Sequence, residues 1–394
     1  MCRYHVRSGN TRQQTTIKEL FPGRVTAAIG SALPNSTIRQ LLKQLPQGVL
    51  DTADVIQAHT LFSYFTRFRS AEEKKAALSR LCLGETVVIT SIRKVSKLSE
   101  WSPRYCPRCF EDDRKAYGEA YWHVEHQIPL MALCPLHGCQ LVQAEHIKVS
   151  HLDYSFYPLD SFTVLPPQER DIRPWELSLA QILHDYYALP MTDAATPGHS
   201  NLAMALNNMG YGVIQKSSKH TILDSKRLYN DLCTFYGRGL VEQVFGDENS
   251  VCTINRVCKW EMAVPERYAL LQCFAGVSSE TAFDRTPVKD RYEVQLSDLQ
   301  RTGVLYGKKQ LAESLGITRS QLDILSDKYG IKPFWMTNTA KPKESRKISF
   351  RLDGQELVLF KQALEKSGFR YDSHFAKYCV MRGVIGRIKE SEKL

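Results

Sequence analysis

Two short cysteine-containing turns constrain the fold of this chain more than any other feature. The first reads RYCPRC at residues 104–109, and the second reads CPLHGC at residues 134–139. Each turn brings two metal-ligating side chains together, and two such turns facing each other close the tetrahedral site that a structural zinc ion requires. The predicted Zn²⁺ ligands are Cys106, Cys109, Cys134 and His137.

Other cysteine and histidine residues near these turns leave alternatives open. Cys139 could take the place of His137 as the fourth ligand. His123 and His126 lie between the turns in the string YWHVEHQ, and we interpret them as packing or surface residues. The predicted ion is structural, because four protein ligands leave no open position for a reacting water molecule. The chain has 11 cysteines in all, an odd number that favours reduced thiols and metal ligation over a disulfide framework.

Positive charge is concentrated at the end of the chain. The net charge is +10, and residues 301–394 hold 19 Lys and Arg against 10 Asp and Glu, a difference of +9. A basic segment of this kind favours a polyanionic partner, and we predict that the partner is double-stranded DNA.

The sequence GKKQLAESLGITRSQLDILSDKYGI at residues 307–331 has the pattern of a helix-turn-helix. Gly316 permits the positive φ that ends the first helix, and Thr318 is a good N-cap for the second. The predicted recognition helix begins with residues that would read base edges in the major groove. These residues are Arg319, Ser320 and Gln321. An ordinary helical hairpin has the same pattern.

The last segment, residues 346–384, resembles a ribbon-helix-helix unit. Basic and polar side chains alternate with Ile348, Phe350 and Leu352, which predicts a strand with one apolar face, followed by two helices. In ribbon-helix-helix proteins two chains pair their strands, so the resemblance implies a homodimer. It also implies base-reading roles for Lys347, Ser349 and Arg351. The alternative is an amphipathic strand that completes another sheet or docks a protein partner.

The region around the two cysteine turns also resembles the TniQ/TnsD family of transposon target-site selection proteins. Several features that are not ligands recur in the family's order: Tyr117-Gly118, Tyr121-Trp122-His123 and the CPLHG string that ends at Gly138. Further motifs are similar to the helical TnsD domain, namely Leu206–Gly210, Phe235–Gly237 and the helix from Pro265 to Gly276. The resemblance covers residues 1–283 and favours the TnsD-like branch, because no second cysteine cluster follows at 146–165.

The resemblance implies a role in targeting and no chemical reaction. Members of the family recruit transposition machinery through an AAA+ ATPase of the TnsC type. Some recognise an attachment-site DNA sequence directly, and others dock on an RNA-guided Cascade complex with its guide RNA. Family members usually carry about a dozen more residues before the part that matches Arg3-Tyr4, so we expect a shortened first helix.

Taken together, these patterns predict a mainly α, multi-domain chain with a small zinc-knuckle module and a short β-ribbon near the C-terminus. The predicted domains are an N-terminal helical TniQ-like region at 1–100, a zinc-binding module at 101–145, a helical TnsD-like domain at 146–283, a helix-turn-helix-like unit at 303–335 and a ribbon-helix-helix-like unit at 345–389.

Several functional classes lack support in the sequence. The chain contains no Gly-rich phosphate loop, no HExxH and no carboxylate spacing that indicates Mg²⁺, so we predict that it is not an enzyme. No apolar run approaches the ~20 residues of a membrane span, and residues 1–10 have no apolar signal segment. We therefore expect a cytoplasmic protein, and the resemblance makes it bacterial. A sequence-specific transcriptional regulator is the alternative function, because both tail patterns are common there.

Overall fold

The structure of this protein is a computed structural model. It describes residues 2–23, 32, 34, 37–46, 48–85, 87, 103–144, 158–161, 164–166, 170–190, 201–214, 221–247, 254, 264–284, 286–336, 351–367 and 372–391. The chain divides into two compact units. The first consists of Met1–Gln215 with His220–Asp290, and the second of Lys216–Lys219 with Arg291–Leu394.

The first unit is built mainly of helices, as the mainly α prediction requires. Its helices are α1 (Cys2–Arg7), α2 (Gln13–Leu20), α3 (Ile38–Leu42), α4 (Thr52–Ala58), α5 (Phe62–Thr66), α6 (Ala71–Cys82), α7 (Pro107–Tyr117), α8 (Pro174–Ala188), α9 (Asn201–Leu206), α10 (Ser225–Tyr236), α11 (Arg238–Phe245), α12 (Pro265–Phe274) and α13 (Ser279–Phe283). Its strands form two antiparallel pairs. They are β1 (Arg104–Tyr105) with β2 (Val142–Gln143), and β3 (Gly212–Ile214) with β4 (Thr221–Leu223).

Local sequence signals determine where several of these helices begin and end. Helix α6 begins at a capping box, in which the Ser70 hydroxyl accepts from the Glu73 N–H and the Glu73 carboxylate accepts from the Ser70 N–H. It ends before Gly84, whose φ of 80° suits glycine. Helices α8 and α12 each begin with a proline at the first position, where the missing N–H costs nothing.

The core of the first unit joins the helices to the cysteine-containing segment. Phe62 and Tyr64 of α5, Leu183 of α8 and Leu270 of α12 are completely buried in one apolar cluster, and Met131 belongs to the same cluster. The segment that carries the two cysteine turns therefore packs directly on the helical core.

A buried arginine fixes the end of α8. Arg67 is fully buried, and its guanidinium donates to the carbonyl oxygens of Tyr186 (2.8 Å), Leu189 (2.5 Å) and Pro190 (3.2 Å). Burial lowers the pKa of Arg67 to about 10. The carbonyl groups at a helix C-terminus carry partial negative charge, so they stabilise the guanidinium without a carboxylate.

The second unit is also helical. It contains α14 (Arg291–Arg301), α15 (Lys308–Ser314), α16 (Arg319–Lys328), α17 (Gly354–Ser367) and α18 (Asp372–Ser391). Two short strands, β5 (Tyr306–Gly307) and β6 (Trp335–Met336), pair in parallel. In the sequence, β5 precedes α15 and β6 follows α16.

The predicted helix pair at 307–331 is present as α15 and α16. Leu311 and Leu322 are fully buried and supply its apolar contact. Gly316 has a φ of 67°, and the Thr318 hydroxyl accepts from the Gln321 N–H at the start of α16. The turn and cap predicted from the sequence are confirmed as local structure, and DNA binding by this pair stays a prediction.

The two helices predicted for the last segment are present as α17 and α18. Most of the predicted strand, residues 346–350, lies outside the described residues. Arg351, just beyond it, is exposed and has no regular secondary structure. Within the described part of the chain, no helix is both long and apolar enough to span a lipid bilayer.

Candidate metal centre

The first cysteine turn forms the N-terminus of α7. Cys106 has extended backbone angles and occupies the N-cap, and Pro107 follows at the first helical position. The Cys106 Sγ accepts from the Cys109 N–H at 3.4 Å, so the sulfur takes the role of a capping side chain. Helix α7 ends at Gly118, which has a φ of 79°. The helix thus holds Cys106 and Cys109 one turn apart on the same side.

The second cysteine turn is a tight reversal held by backbone hydrogen bonds. The Cys134 N–H donates to the Cys139 carbonyl and the Gly138 N–H donates to the Cys134 carbonyl, both at 2.8 Å. The His137 N–H donates to the Cys134 Sγ at 3.4 Å, which repeats the N–H to sulfur contact of the first turn. Gly138 has a φ of 65°, and a Cβ placed there would lie 3.3 Å from the Leu177 side chain. The backbone therefore favours glycine, and a larger residue would also have to push the Leu177 side chain aside.

A strand pair closes the segment that carries both turns. Arg104 of β1 pairs with Gln143 of β2, and Tyr105 pairs with Val142. We call residues 103–144 the Cys/His module. The Arg104 guanidinium donates to the carbonyl oxygens of Met131 (2.6 Å) and Ile128 (2.8 Å), and burial lowers its pKa to about 10.

The four predicted ligands come together at one point. Their ligand atoms all lie within 4.8 Å of one another. The His137 Nδ1 lies 3.5 Å from the Cys106 Sγ, 3.2 Å from the Cys109 Sγ and 3.6 Å from the Cys134 Sγ. The Cys109 and Cys134 sulfurs are 3.6 Å apart. The three cysteines are buried, and His137 is partly exposed.

These distances fit a tetrahedral zinc site. With ordinary Zn–S and Zn–N bond lengths, the edges of the tetrahedron are about 3.8 Å between sulfurs and about 3.6 Å between sulfur and nitrogen. Hydrogen bonding to the Cys106 and Cys134 sulfurs raises the pKa of Cys109, and hydrogen bonding to the Cys106 and Cys109 sulfurs lowers the pKa of Cys134. It is therefore unfavourable for all three neighbouring thiols to be deprotonated at once. A divalent cation would compensate the negative charge of three thiolates.

A carboxylate holds the imidazole of His137 from its other side. The His137 Nε2 lies 3.0 Å from the Asp112 Oδ2, and Asp112 belongs to α7, the helix that begins at Cys106. Metal-ligating histidines usually donate their second ring nitrogen to a carboxylate or carbonyl in this way. The contact directs Nδ1 towards the three sulfurs and supports His137 as the fourth donor.

Cys139 lies beside the four donors and apart from their centre. Its Sγ is 3.3 Å from the Cys106 Sγ. The His137 Nδ1, in contrast, is within 3.6 Å of three sulfurs. The geometry therefore favours His137 over Cys139 at the fourth position.

His126 lies next to the cluster of the four predicted ligands. Its ring is 1% exposed, and its Nε2 is 3.8 Å from the Cys109 Sγ. Its Nδ1 is buried without a hydrogen-bond partner. His126 is thus a packing residue, as interpreted from the sequence, but it also contacts a ligand sulfur, which no local sequence pattern indicated.

His123 is held by two carboxylates. Its Nε2 is 2.9 Å from the Asp113 Oδ2 and its Nδ1 is 3.3 Å from the Glu125 Oε1. Burial acts to lower the pKa of His123, but the hydrogen bonds to Glu125 and Asp113 outweigh it and raise the pKa above its usual value. The ring stacks between Tyr121, at 4.3 Å, and His126, at 4.8 Å. Atoms of Cys109, His123 and His126 could also surround an ion, but both nitrogens of His123 already have carboxylate partners.

The N-terminal helix is attached to the Cys/His module by ion pairs. Glu119 accepts from Arg7 at 2.6 Å and from Arg3 at 3.2 Å. The Arg3 guanidinium also lies over the Tyr121 ring, 5.4 Å from its centroid. These contacts join the first residues of the chain to the turn that follows α7.

The residues predicted to read DNA are distributed over two parts of the second unit. Arg319 and Ser320 are exposed at the start of α16. Gln321 is partly buried, and its Oε1 accepts from the Thr318 N–H at 2.8 Å, so this side chain completes a capping box. Lys347 and Ser349 lie outside the described residues.

Comparison with known proteins identifies the region that contains this centre. Residues 1–141 match the TniQ family. The transposon Tn7 transposition protein TnsD of Escherichia coli is 25% identical over 252 residues, which make up 63% of this chain and 47% of that protein. The chain therefore spans about half the length of the relative it matches. The family match includes all four residues of the Cys/His cluster.

Proposed function

This chain belongs to the TniQ/TnsD family, and from that premise we propose that it is a zinc-containing, DNA-binding adaptor that selects the target site of a transposon. The observation that carries the proposal is the convergence of three cysteine sulfurs on the His137 Nδ1 within the TniQ region. The adaptor acts by recognition, without a chemical step of its own, in the bacterial cytoplasm where the target DNA lies.

Zinc has a structural role in this proposal. Cys106, Cys109, Cys134 and His137 would hold the ion, and four protein ligands leave no open position for catalysis. The ion would lock the two turns of the Cys/His module together. Because buried residues of the module belong to the helical core, metal binding would stabilise the first unit as a whole.

The zinc site can be tested by metal content and by a cobalt spectrum. We expect one Zn²⁺ per chain, and a Co²⁺-substituted protein with the thiolate-to-metal absorption of a three-sulfur site. Cys109→Ser should lower the metal affinity by orders of magnitude, because it removes a ligand. Cys139→Ser is the matched control, since Cys139 lies beside the donors, and it should retain the metal. If Cys139→Ser loses the metal and Cys109→Ser retains it, Cys139 is a ligand and Cys109 is not.

The second unit would supply the DNA contacts. Arg319 and Ser320 are exposed at the start of α16, where a recognition helix meets the major groove. Arg351 is exposed after the segment that contains Lys347 and Ser349. The cationic character of residues 301–394 would supply the salt-dependent, sequence-independent part of the affinity.

The proposed protein partner is an AAA+ ATPase of the TnsC type. The E. coli relative is named as a Tn7 transposition protein, and an adaptor of this family delivers such an ATPase to the selected DNA. Two routes to the target are consistent with the family, namely direct recognition of an attachment site and docking on a Cascade complex with guide RNA. The proposal includes both routes.

Reconstitution with purified components tests the function. The chain should bind duplex DNA, and a TnsC-type ATPase from the same transposon should join the complex only when the chain is present. Addition of Cascade with guide RNA separates the two targeting routes. A chain that binds an operator-like duplex and never recruits the ATPase would support a transcriptional regulator and overturn the adaptor assignment.

A further inference from the structure

The turn that carries His126 is fixed to the first cysteine turn. His126 belongs to a short 3₁₀ helix, Glu125–Gln127. The Gln127 amide donates to the Arg104 carbonyl oxygen at 2.7 Å, and the Arg104 N–H donates to the Gln127 Oε1 at 3.0 Å. Because Arg104 precedes Cys106 by two positions in the chain, this pair of hydrogen bonds keeps the His126 backbone at a set distance from the cysteine cluster.

The imidazole of His126 is oriented by packing as well. Its ring stacks on the His123 ring, with 4.8 Å between the centroids and 26° between the planes. His123 is itself held by the Asp113 and Glu125 carboxylates. A side chain that tunes a metal centre must be held in this way by its own neighbours.

The two ring nitrogens of His126 have different surroundings. Nε2 lies 3.8 Å from the Cys109 Sγ, and the imidazole is also a hydrogen-bond partner of the Cys134 sulfur. Nδ1 is buried and has no hydrogen-bond partner among the described residues. One edge of the ring therefore faces sulfur, and the other faces a site without a polar partner.

These surroundings decide which nitrogen carries the proton. A neutral imidazole has one N–H group and one nitrogen with a lone pair. A proton on Nδ1 would be a buried donor without an acceptor, which is costly, whereas a proton on Nε2 faces a sulfur acceptor. We therefore assign the proton of His126 to Nε2 and the lone pair to Nδ1.

The backbone supplies an N–H donor to two of the three cysteine sulfurs. The Cys106 Sγ accepts from the Cys109 N–H at 3.4 Å. The Cys134 Sγ accepts from the His137 N–H at 3.4 Å. Within the described part of the chain, the Cys109 Sγ accepts no backbone N–H, and the His126 imidazole is the N–H group that lies against it. His126 thus completes a pattern of one N–H donor for each sulfur.

On the premise of the proposed zinc site, we propose that His126 donates its Nε2–H to the Cys109 thiolate, with the Cys134 thiolate as a second acceptor. Three thiolates around one divalent cation leave excess negative charge, and a hydrogen bond to a charged acceptor is about twice as strong as one between neutral groups. Burial strengthens such a bond further. His126 is therefore a positioning residue, which acts on the metal through its ligands and does not bind the metal itself.

A ligand role for His126 fits the structure less well. Coordination through Nε2 would move the proton to Nδ1, which has no acceptor in the described residues. The His137 Nδ1, in contrast, lies within 3.6 Å of all three sulfurs, and its Nε2 contacts the Asp112 carboxylate.

NMR of the full chain with isotope-labelled histidine locates the proton directly. Long-range couplings within the ring should identify His126 as the tautomer that is protonated on Nε2. With an NMR-active cadmium isotope in place of zinc, this proton should show a scalar coupling to the metal, transmitted through the N–H···S hydrogen bond. A proton on Nδ1, or a direct coupling between cadmium and a His126 nitrogen, would overturn the inference.

Substitution of His126 gives a second readout. His126→Phe keeps a ring for the stack on His123 and removes the donor. In the Co²⁺-substituted protein it should move the thiolate-to-metal absorption to longer wavelength, because a sulfur that has lost a hydrogen bond gives up its electrons more readily. It should also lower the Zn²⁺ affinity about tenfold. His126→Gln, whose amide can donate from near the position of Nε2, should restore the band position and most of the affinity.

Tyr121→Phe is the matched control, because Tyr121 packs on the other face of His123, at 4.3 Å. It should leave the band position unchanged. If His126→Phe lowers the affinity without moving the band, or if His126→Gln restores nothing, His126 is a packing residue and the inference is wrong. Should His126→Phe fail to fold by circular dichroism, the cadmium coupling in the parent protein decides. A parent protein that holds one Zn²⁺ per chain but lacks this coupling rejects only the role of His126, whereas one that binds no metal rejects the zinc site and this role together.

Discussion

The carboxylate of Asp112 lies 3.0 Å from the Nε2 of His137, while the Nδ1 of the same ring points at three cysteine sulfurs. Asp112 and the first two cysteines belong to one helical segment, whereas His137 comes from the second turn. The pair therefore connects the two halves of the candidate metal centre, and Asp112 is not one of the four predicted ligands. Asp112 can therefore be substituted without removing any of the four predicted ligands.

We predict that Asp112→Asn lowers the affinity for Zn²⁺ by about 10- to 100-fold, because the asparagine neither orients the imidazole as firmly nor raises its basicity. Competition with a chromophoric chelator measures the change. Glu111→Gln is the control, since Glu111 is the exposed neighbour in the same helix. Equal affinities of the two variants would contradict the role assigned to Asp112.

Gly138 and Gly118 have similar backbone angles, so substitutions at the two positions distinguish the effect of backbone strain from that of a side-chain contact. Gly138 (φ 65°) and Gly118 (φ 79°) both have left-handed conformations, but only a Cβ at Gly138 meets a neighbour, the Leu177 side chain at 3.3 Å. We expect each Gly→Ala change to cost about 1 kcal/mol through the backbone. Gly138→Ala should also displace the second cysteine turn and weaken metal binding, whereas Gly118→Ala should not. Thermal denaturation and chelator competition on both variants check the prediction, and equal metal affinities would refute it.

The buried carboxyl of Glu266 should make stability depend on pH. Glu266 is fully buried and accepts from the Tyr64 hydroxyl at 3.0 Å, while its Oε2 has no partner. Burial raises the pKa of Glu266 from 4.5 to about 7. The folded protein therefore holds this proton more tightly than the unfolded chain, and the stability gained at low pH is lost as pH rises through 7.

Glu266→Gln should accordingly be more stable than the parent protein at pH 8, by an amount on the order of 3 kcal/mol, and should lose this advantage towards pH 5. Denaturant titrations at several pH values give the free energy of unfolding of the variant and of the parent protein. Because both proteins contain the candidate metal centre, its own pH dependence cancels in their difference at each pH. Glu72→Gln, at an exposed position of α6, is the control. A difference that does not vary with pH would show that the Glu266 proton is not involved.

Arg351 is the described member of the three residues predicted to read DNA from the ribbon. We predict that Arg351→Ala weakens duplex binding about tenfold and reduces the slope of log affinity against log salt by about 1. Arg238→Ala on α11 is the control, because that side chain is 62% exposed and lies in the first unit, outside the basic segment predicted to contact DNA. Unchanged affinity and slope in Arg351→Ala would remove the ribbon from the DNA-binding surface.

Local sequence patterns predicted much of the candidate centre. The spacing of the two cysteine turns predicted the four residues that converge, because each turn depends on neighbouring residues and on glycine or proline at fixed positions. Thr318 and Gly316 were predicted as cap and turn for the same reason. The sequence also contains the capping pattern T-x-x-Q at Thr318 and Gln321, and this pattern favours a capping role for Gln321 over base reading.

Long-range contacts could not be predicted in this way. The approach of His126 to Cys109, the carboxylate at His137 and the carbonyl groups around Arg67 all join residues distant in sequence. Each depends on how complete elements pack, and periodicity within one element carries no information about that. Arginine is usually exposed, so no composition rule indicates a fully buried one.

The pairing of Arg104 with Gln143 brings the two ends of the Cys/His module next to each other. A segment whose two ends are neighbours can lengthen or shorten between them without moving what lies on either side. Within this segment the exposed end of α7, at Tyr117 and Gly118, is the place where an inserted tag or fluorophore would be tolerated best. The residues further along, such as His126 and Met131, are buried and hold the segment on the helical core.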